Sequence, residues 1–311
     1  MSDQTEVSVI DLRMSHNQVV ADFSHAYSTS GFGYIIGHNI PGTVFAKVFE
    51  ASKRFHALPM AQKMAVAVDA NHRGYIPINT STDVTSTLAK VTKPNQSASF
   101  MMMREDAVHD PSIYLSGPNQ WPDLAGFRTA LQSYNDAMTR LARHLLAIAF
   151  EAAGMTDPAA MQMFDTPTTW LRLLHYPPQP AQSADDLYGS APHTDFGGLT
   201  LLAQDDVGGL QVQTPEGAWI DVPKIDGSLV VNVGDMLHRL SNGKLKSTPH
   251  RVINRSGRER YSCPFFFDPH VTAEIVPMTA EPAKFAPLTY GTFLRSQLEA
   301  SYEAHQDATK A

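Results

Sequence analysis

Two kinds of hydrophobic spacing divide the chain near Gly154. Before it, apolar residues recur every three to four positions. Val20, Phe23 and Tyr27 predict a helix over 18–28, and Gly31 ends the run ahead of a short strand-like segment, Phe32 to Ile36. Phe45, Val48, Phe49, Ser52, Phe55 and His56 mark a second helical stripe, on which His56 reads as a core or boundary histidine and not as a ligand. Residues 77–99 are rich in Ser, Thr and Asn and read as loop or irregular edge structure. Leu124, Phe127, Leu131, Tyr134, Met138, Leu141 and Leu145 then predict a long helix from Pro122 to Ala153, stopped by Gly154 and backing a sheet.

After Gly154 the period changes. Short strands are predicted at Thr169 to Tyr176, Gly198 to Ala203, Gly209 to Gln213, Ser228 to Val233, His250 to Asn254 and Arg260 to Phe267, separated by Gly-rich or polar turns. A final helix over 287–303 carries Tyr290, Phe293, Leu294 and Leu298. Short strands in series, with long helices only at the flanks, give a mainly β fold: a double-stranded β-helix, or jelly roll, with a helical N-terminal region and a C-terminal helix. The expected organisation is 1–154 as the helix-rich region of the same fold, 155–285 as the jelly-roll core and 286–311 as the last helix and tail.

Composition narrows the partners. Twenty-four basic against 31 acidic residues give a formal charge of −7 with no Lys/Arg run, so nucleic acid and anionic membrane are not expected. The single cysteine, Cys263, permits no internal disulfide and no thiolate metal cage. The acidic N-terminus lacks the apolar segment of a secretory signal, and the expectation is a cytoplasmic protein, monomeric or weakly homo-oligomeric, acting on a small molecule.

With 13 histidines, about one bare His-x-Asp is expected by chance; two occur. His305-Gln-Asp307 lies in the polar tail and is read as chance. His193-Thr-Asp195 ends a Pro-rich loop directly before a strand, where positions i and i+2 face one way. His250, at the start of a later strand, supplies a second imidazole. Two imidazoles and a carboxylate on one face suit non-haem Fe(II) with sites left open for substrate oxygens and dioxygen. Taken alone, the pattern fits a loop His/Asp pair and an unrelated strand histidine equally well. Arg260-Tyr-Ser262 follows ten residues after His250 as another i, i+2 pair, and a guanidinium beside a hydroxyl makes a carboxylate clamp. Fe(II), Asp195, a dicarboxylate keto acid and Arg260 together are neutral, a set that a dry pocket tolerates.

With these residues assembled, the chain resembles the isopenicillin N synthase-like branch of the Fe(II)- and 2-oxoglutarate-dependent oxygenases. The strongest block is His193-Thr-Asp-Phe-Gly-Gly-Leu-Thr-Leu-Leu-Ala-Gln-Asp-Asp-Val-Gly-Gly-Leu-Gln-Val212. Val231-Asn-Val-Gly-Asp235, Leu240-Ser-Asn-Gly-Lys244 and Ser247-Thr-Pro-His-Arg-Val252 follow it, with Gly31-Phe-Gly-Tyr34 and Phe55-His-Ala-Leu-Pro59 toward the N-terminus. The resemblance implies iron on His193, Asp195 and His250, and the distal carboxylate of 2-oxoglutarate on Arg260 and Ser262. Tyr176 falls where many members place a tyrosine that binds cosubstrate or substrate, although Leu174 stands where many plant members carry asparagine. The implied activity is oxidation of a small organic molecule by hydroxylation, desaturation or cyclisation, using O2, releasing succinate and CO2, with ascorbate as a further reductant. The competing readings are a 2-oxoglutarate-independent iron oxidase and a non-catalytic metal-binding jelly roll.

For substrate contacts the sequence offers Phe196, Leu240, Phe265 to Phe267 and Met101 to Met103 as pocket wall or core, and Arg172, alternating with Leu171 and Leu173, as an anchor for an acidic substrate.

Overall fold

A computed structural model describes residues 7–81, 88, 91, 93–105, 109–180 and 186–301. Its elements run β1 (Ser8–Asp11), α1 (His16–Thr29), β2 (Phe32–Ile36), α2 (Gly42–His56), α3 (Met60–Met64), β3 (Gly74–Ile76), β4 (Ala98–Met103), α4 (Phe127–Ala153), α5 (Ala159–Gln162), β5 (Thr168–Tyr176), β6 (Ser190–His193), β7 (Leu199–Gln204), β8 (Leu210–Gln213), β9 (Trp219–Asp221), β10 (Leu229–Val233), α6 (Asp235–Leu240), β11 (His250–Val252), β12 (Arg260–Asp268), β13 (Glu274–Ile275), β14 (Leu288–Thr289) and α7 (Tyr290–Ser301).

Eight strands form one sheet in the order β1-β2-β10-β7-β12-β5-β4-β3, and four form the facing sheet in the order β6-β11-β8-β9. This is the expected jelly roll with flanking helices. The helix-rich first half nevertheless supplies β1 to β4, which extend both ends of the large sheet. The tract read as loop over 77–99 ends in β4, paired with β5 from Ala98↔His175 to Met103↔Trp170. The long helix begins at Phe127 and not at Pro122, because Gly126 sits at φ 77, a left-handed turn that a helix cannot contain. Gly154, at φ 70, ends it as expected. The last helix begins at Tyr290, three residues later than read, and His305-Gln-Asp307 lies outside the described residues.

Strand alternation gives the large sheet two unlike faces. On β12, Cys263, Phe265 and Phe267 are fully buried and pack with the helices, and on β5 Leu171 and Leu173 do the same. Tyr134 of α4 fixes the packing by donating its hydroxyl to the Cys263 carbonyl at 2.9 Å, and Tyr27 of α1 donates to the Val231 carbonyl at 3.1 Å. The opposite face looks toward the small sheet across an apolar cluster that includes Phe32, Leu174, Tyr176, Val212 and Val252. Beside that cluster the two sheets leave a cavity.

His56 is a core histidine, as its stripe implies. It is 7% exposed and donates from Nε2 to the Leu173 carbonyl at 2.9 Å. Burial pulls its pKa down to about 3, so it stays neutral when folded and protonates readily once unfolded. Its contribution to stability is therefore complete above about pH 6.5 and is lost as pH falls toward 3, by at most roughly 4–5 kcal/mol. In denaturant titrations at several pH values, His56→Gln is expected to flatten this acid limb; an unchanged pH slope would contradict the assignment.

Candidate metal and cosubstrate site

The cavity takes its floor from alternate residues of two neighbouring strands. Arg260, Ser262, Pro264, Phe266 and Asp268 of β12 line it, as do Trp170, Arg172, Leu174 and Tyr176 of β5. The roof comes from the small sheet, where β11 pairs antiparallel with β6 and sets His250 directly across from His193. The pairing is possible because Ser190–His193 is a strand, although its Pro192 gives it the look of a loop in the sequence. The cavity measures about 160 Å³.

His193, Asp195 and His250 offer ligand atoms that all lie within 4.8 Å of one another. His193 Nε2 is 3.7 Å and His250 Nε2 is 3.6 Å from Asp195 Oδ1. Each imidazole is held by its other nitrogen: Nδ1 of His193 donates to the Ala191 carbonyl at 2.7 Å, and Nδ1 of His250 to the Thr248 carbonyl at 3.2 Å. That fixes the tautomer whose Nε2 lone pair faces Oδ1. Oδ2 of Asp195 accepts from Thr200 Oγ1 at 2.5 Å and from Asn232 Nδ2 at 2.7 Å, which leaves Oδ1 turned to the imidazoles. Burial pushes the Asp195 carboxyl up, but positive charge, which His250 and His193 can carry in the absence of metal, and the hydrogen bonds from Asn232 and Thr200 outweigh it and hold the pKa below the ordinary range. Two neutral nitrogens and one carboxylate oxygen, oriented by their neighbours before any ion arrives, fit a divalent iron ion.

A neighbouring carboxylate holds this set in place. Asp235, at the start of α6, accepts from Thr194 Oγ1 at 3.2 Å and Ser247 Oγ at 2.6 Å, so it ties the residue between two of the ligands to the segment leading into the third. Its own N–H donates to the Asp195 carbonyl at 2.8 Å, and Met236 N–H donates to the Gly197 carbonyl at 2.9 Å. Burial raises its pKa. Asp235→Ala is expected to weaken metal affinity by about 10- to 100-fold, with partial rescue by Asp235→Asn, as measured by competitive chelator titration. An Asp235→Ala protein with parental affinity would refute this. Thr200, Asn232 and Asp235 were not found as site residues in the sequence. The available signal was a polar side chain inside an apolar strand, as in Val230-Val-Asn-Val233, which must find a buried partner.

At the other end of the cavity, Arg260 is 1% exposed. Its Nε donates to the Gly208 carbonyl at 2.7 Å, Nη1 approaches Ser262 Oγ at 3.3 Å, and Nη2 approaches Gln204 Oε1 at 3.4 Å. The guanidinium lies 4.7 Å from the centre of the Tyr176 ring, across the β12–β5 register pair Arg260↔Tyr176. Among the described residues no carboxylate pairs with it. A buried cation whose nearby partners are all neutral fits a ligand that brings its own carboxylate, as 2-oxoglutarate does.

The remaining sequence candidates divide by strand parity and by element. Phe196, Phe266, Met101 and Arg172 line the cavity. Phe265 and Phe267 do not, because they sit on the opposite face of β12, and Leu240 is buried on α6 in the helix-side core. Met102 and Met103 are core as well. The sequence also did not assign α7 to the site, yet Tyr290, Leu294, Leu298 and Ser301, one stripe of that helix, form a cavity wall. The Phe196 ring meets Phe293 of the same helix edge-on at 6.1 Å.

Comparison with known proteins agrees with this geometry. Residues 167–269 match the 2OG-Fe(II) oxygenase superfamily, and residues 7–124 match the non-haem dioxygenase in morphine synthesis N-terminal family. The 2-oxoglutarate-Fe(II) type oxidoreductase hxnY of Emericella nidulans is 37% identical over 88% of this chain and 82% of its own length. The 2-oxoglutarate-dependent dioxygenase citB of Monascus ruber is 35% identical over 84% and 82%. Among solved structures, a full-length Neurospora crassa protein in complex with alpha-KG and thymine superposes with a TM-score of 0.82 at 29% identity, covering 96% of this chain and 98% of that one. JOX2 in complex with 2OG, Fe and JA superposes with a TM-score of 0.80 at 25% identity, covering 96% and 89%. The chain belongs to the 2OG-Fe(II) oxygenase superfamily. It is an Fe(II)- and 2-oxoglutarate-dependent dioxygenase of the same kind as these relatives. Among the described residues, no helix is long and apolar enough to cross a membrane.

Proposed function

We propose that His193, Asp195 and His250 bind the iron, that Arg260 and Ser262 hold the distal carboxylate of 2-oxoglutarate above the Tyr176 ring, and that Phe196 and Arg172 meet a small organic substrate. The observation that carries this reading is the meeting, in one cavity, of a three-ligand cluster and a buried guanidinium with no carboxylate among the described residues paired to it. When bound, iron with 2-oxoglutarate and O2 supplies the oxidation, converting the keto acid to succinate and CO2.

The chain's own residues supply position and dryness. Asp195 contributes the one negative donor, and the carbonyls of Ala191 and Thr248 keep both imidazoles aimed at it. Arg260 and Tyr176 set the depth to which the cosubstrate enters. Phe196 and Phe266 exclude water from the space beside the ligand cluster, and the substrate carbon held nearest the metal is the one oxidised, which decides among hydroxylation, desaturation and ring closure. The relatives solved with thymine and with JA support a small-molecule substrate. A net charge of −7 and a single, buried cysteine are in keeping with a cytoplasmic enzyme, monomeric or weakly self-associating, with no nucleic-acid or membrane partner.

Anaerobic titration of 2-oxoglutarate into the Fe(II)-loaded protein tests the assignment. A visible charge-transfer band is expected in the parent, lost in His250→Ala and weakened in Arg260→Ala. A flat spectrum with iron bound, or variants identical to the parent, would overturn it.

A further inference from the structure

The cavity holds a second guanidinium, and the charge it adds selects what else can enter; this step rests on the assignment of Arg260 to the cosubstrate. Arg172 shares its strand face with Trp170, Leu174 and Tyr176. The register Leu171↔Phe265 and Leu174↔Ser262 sets it level with Pro264. Its guanidinium bonds to Ser99 on β4, on the opposite side of β5 from β12, the strand that carries Arg260, so the two guanidiniums are placed to meet different groups.

The partners of Arg172 leave it short of a counter-charge. Nη2 donates to the neutral Ser99 hydroxyl at 3.1 Å, and Nε is buried with no hydrogen-bond partner. Among the described residues no carboxylate pairs with it. The other acidic group on the cavity wall, Asp268, is already engaged: its oxygens accept the Gly198 N–H at 2.9 Å and the Tyr290 hydroxyl at 2.7 Å. Burial also pushes its pKa up to about 7.

With Fe(II), Asp195, doubly charged 2-oxoglutarate and Arg260 cancelling, and Asp268 engaged by Gly198 and Tyr290, Arg172 has no counter-charge of its own among the described residues of the loaded cavity. The surfaces around that deficit are apolar, from Trp170, Phe266 and Pro264 on the sheet, Phe196 beside the ligand cluster, and Leu294 and Leu298 on α7. We propose that the substrate is a small organic monoanion, a carboxylate on an apolar body, whose charged end pairs with Arg172 while the body lies against Phe196, Phe266 and the leucines of α7. A neutral substrate leaves the buried guanidinium unpaired, and a dianion overshoots the balance. The cavity also has to admit the cosubstrate, which keeps the body small.

The test is a binding titration with the anaerobic protein loaded with Fe(II) and 2-oxoglutarate, followed by calorimetry. Benzoate, phenylacetate and cyclohexylacetate are compared with their primary amides and with the dianion phenylmalonate. At least one acid is expected to bind about tenfold or more tightly than its amide, and phenylmalonate no more tightly than phenylacetate. Arg172→Gln should abolish the preference for acid over amide while leaving 2-oxoglutarate affinity within about twofold, and Arg172→Lys should keep part of the preference. Equal binding of acid and amide, a preference that survives Arg172→Gln, a tighter dianion, or no acid bound at millimolar concentration would each overturn the proposal. If 2-oxoglutarate itself fails to bind in the loading step, or binds equally well to Arg260→Met, the cosubstrate assignment has failed, separately from the Arg172 result.

Discussion

Asp195→Ala protein is expected to fold and yet fail to retain a divalent metal, with affinity reduced by more than about 100-fold and 2-oxoglutarate turnover at background. The loss exceeds the 10- to 100-fold typical of removing a group that merely orients a ligand, because Asp195 is the one anionic donor of the three. Without it, two neutral imidazoles remain to hold a doubly charged ion. Thr200 and Asn232 would also lose their shared acceptor, at a cost of about 1–3 kcal/mol each unless water enters from the cavity. Metal analysis after gel filtration, together with circular dichroism, separates loss of the ion from loss of the fold. One equivalent of tightly held iron in a folded Asp195→Ala protein would remove Asp195 from the ligand set.

Arg260→Met should have the second largest effect, and it should fall on a different quantity. Truncating one partner of a buried charge pair costs about 2–5 kcal/mol, so the KM for 2-oxoglutarate is expected to rise by between about 30-fold and a few thousandfold while metal affinity stays near the parental value. Arg260→Lys should recover part of the loss, since it keeps the charge but not the planar fork that lies along the Tyr176 ring and reaches Ser262 and Gln204 at once. Steady-state succinate release over a range of 2-oxoglutarate concentrations gives both numbers. A change in kcat with KM untouched would place Arg260 outside the cosubstrate site.

The strands that carry this chemistry were legible because alternation and turn residues sit close together in sequence. The predicted spans for β2, β5, β7, β8, β10 and β12 match their observed ends to within a residue or so. What escaped was set by partners far along the chain. β1 and β3 are short, and β4 finds its neighbour β5 some seventy residues later, so nothing local marks it beyond its three methionines. β6 contains Pro192 and gains its strand character from pairing with β11.

For the candidate site, residue type singled out five of the ionisable groups that the cavity brings together, but not Asp235 or Asp268 and not the neutral residues. His193, Asp195, His250, Arg260 and Arg172 announce themselves by chemistry that is costly to bury. Phe265, Phe266 and Phe267 are chemically alike, and only the register that points Arg260 and Ser262 into the cavity selects Phe266 from the three. Leu240 offered no alternation to read, because it lies on the six-residue helix α6. The role of α7 was hidden for another reason: an apolar stripe on a terminal helix looks the same whether it covers a core or closes a cavity.

The position of α7 outside the two sheets separates two kinds of change that a catalyst can undergo. His193, His250, Arg260 and Arg172 stand on paired strands and Asp195 is held by Thr200 and Asn232, whereas the wall formed by Leu294 and Leu298 belongs to one short helix, tied to β12 by the Tyr290–Asp268 hydrogen bond. Sequence drift over 290–301 can thus redraw the shape of what is admitted without disturbing the oxidising centre. The same oxidation can be turned toward different molecules by changes confined to the twelve residues of α7.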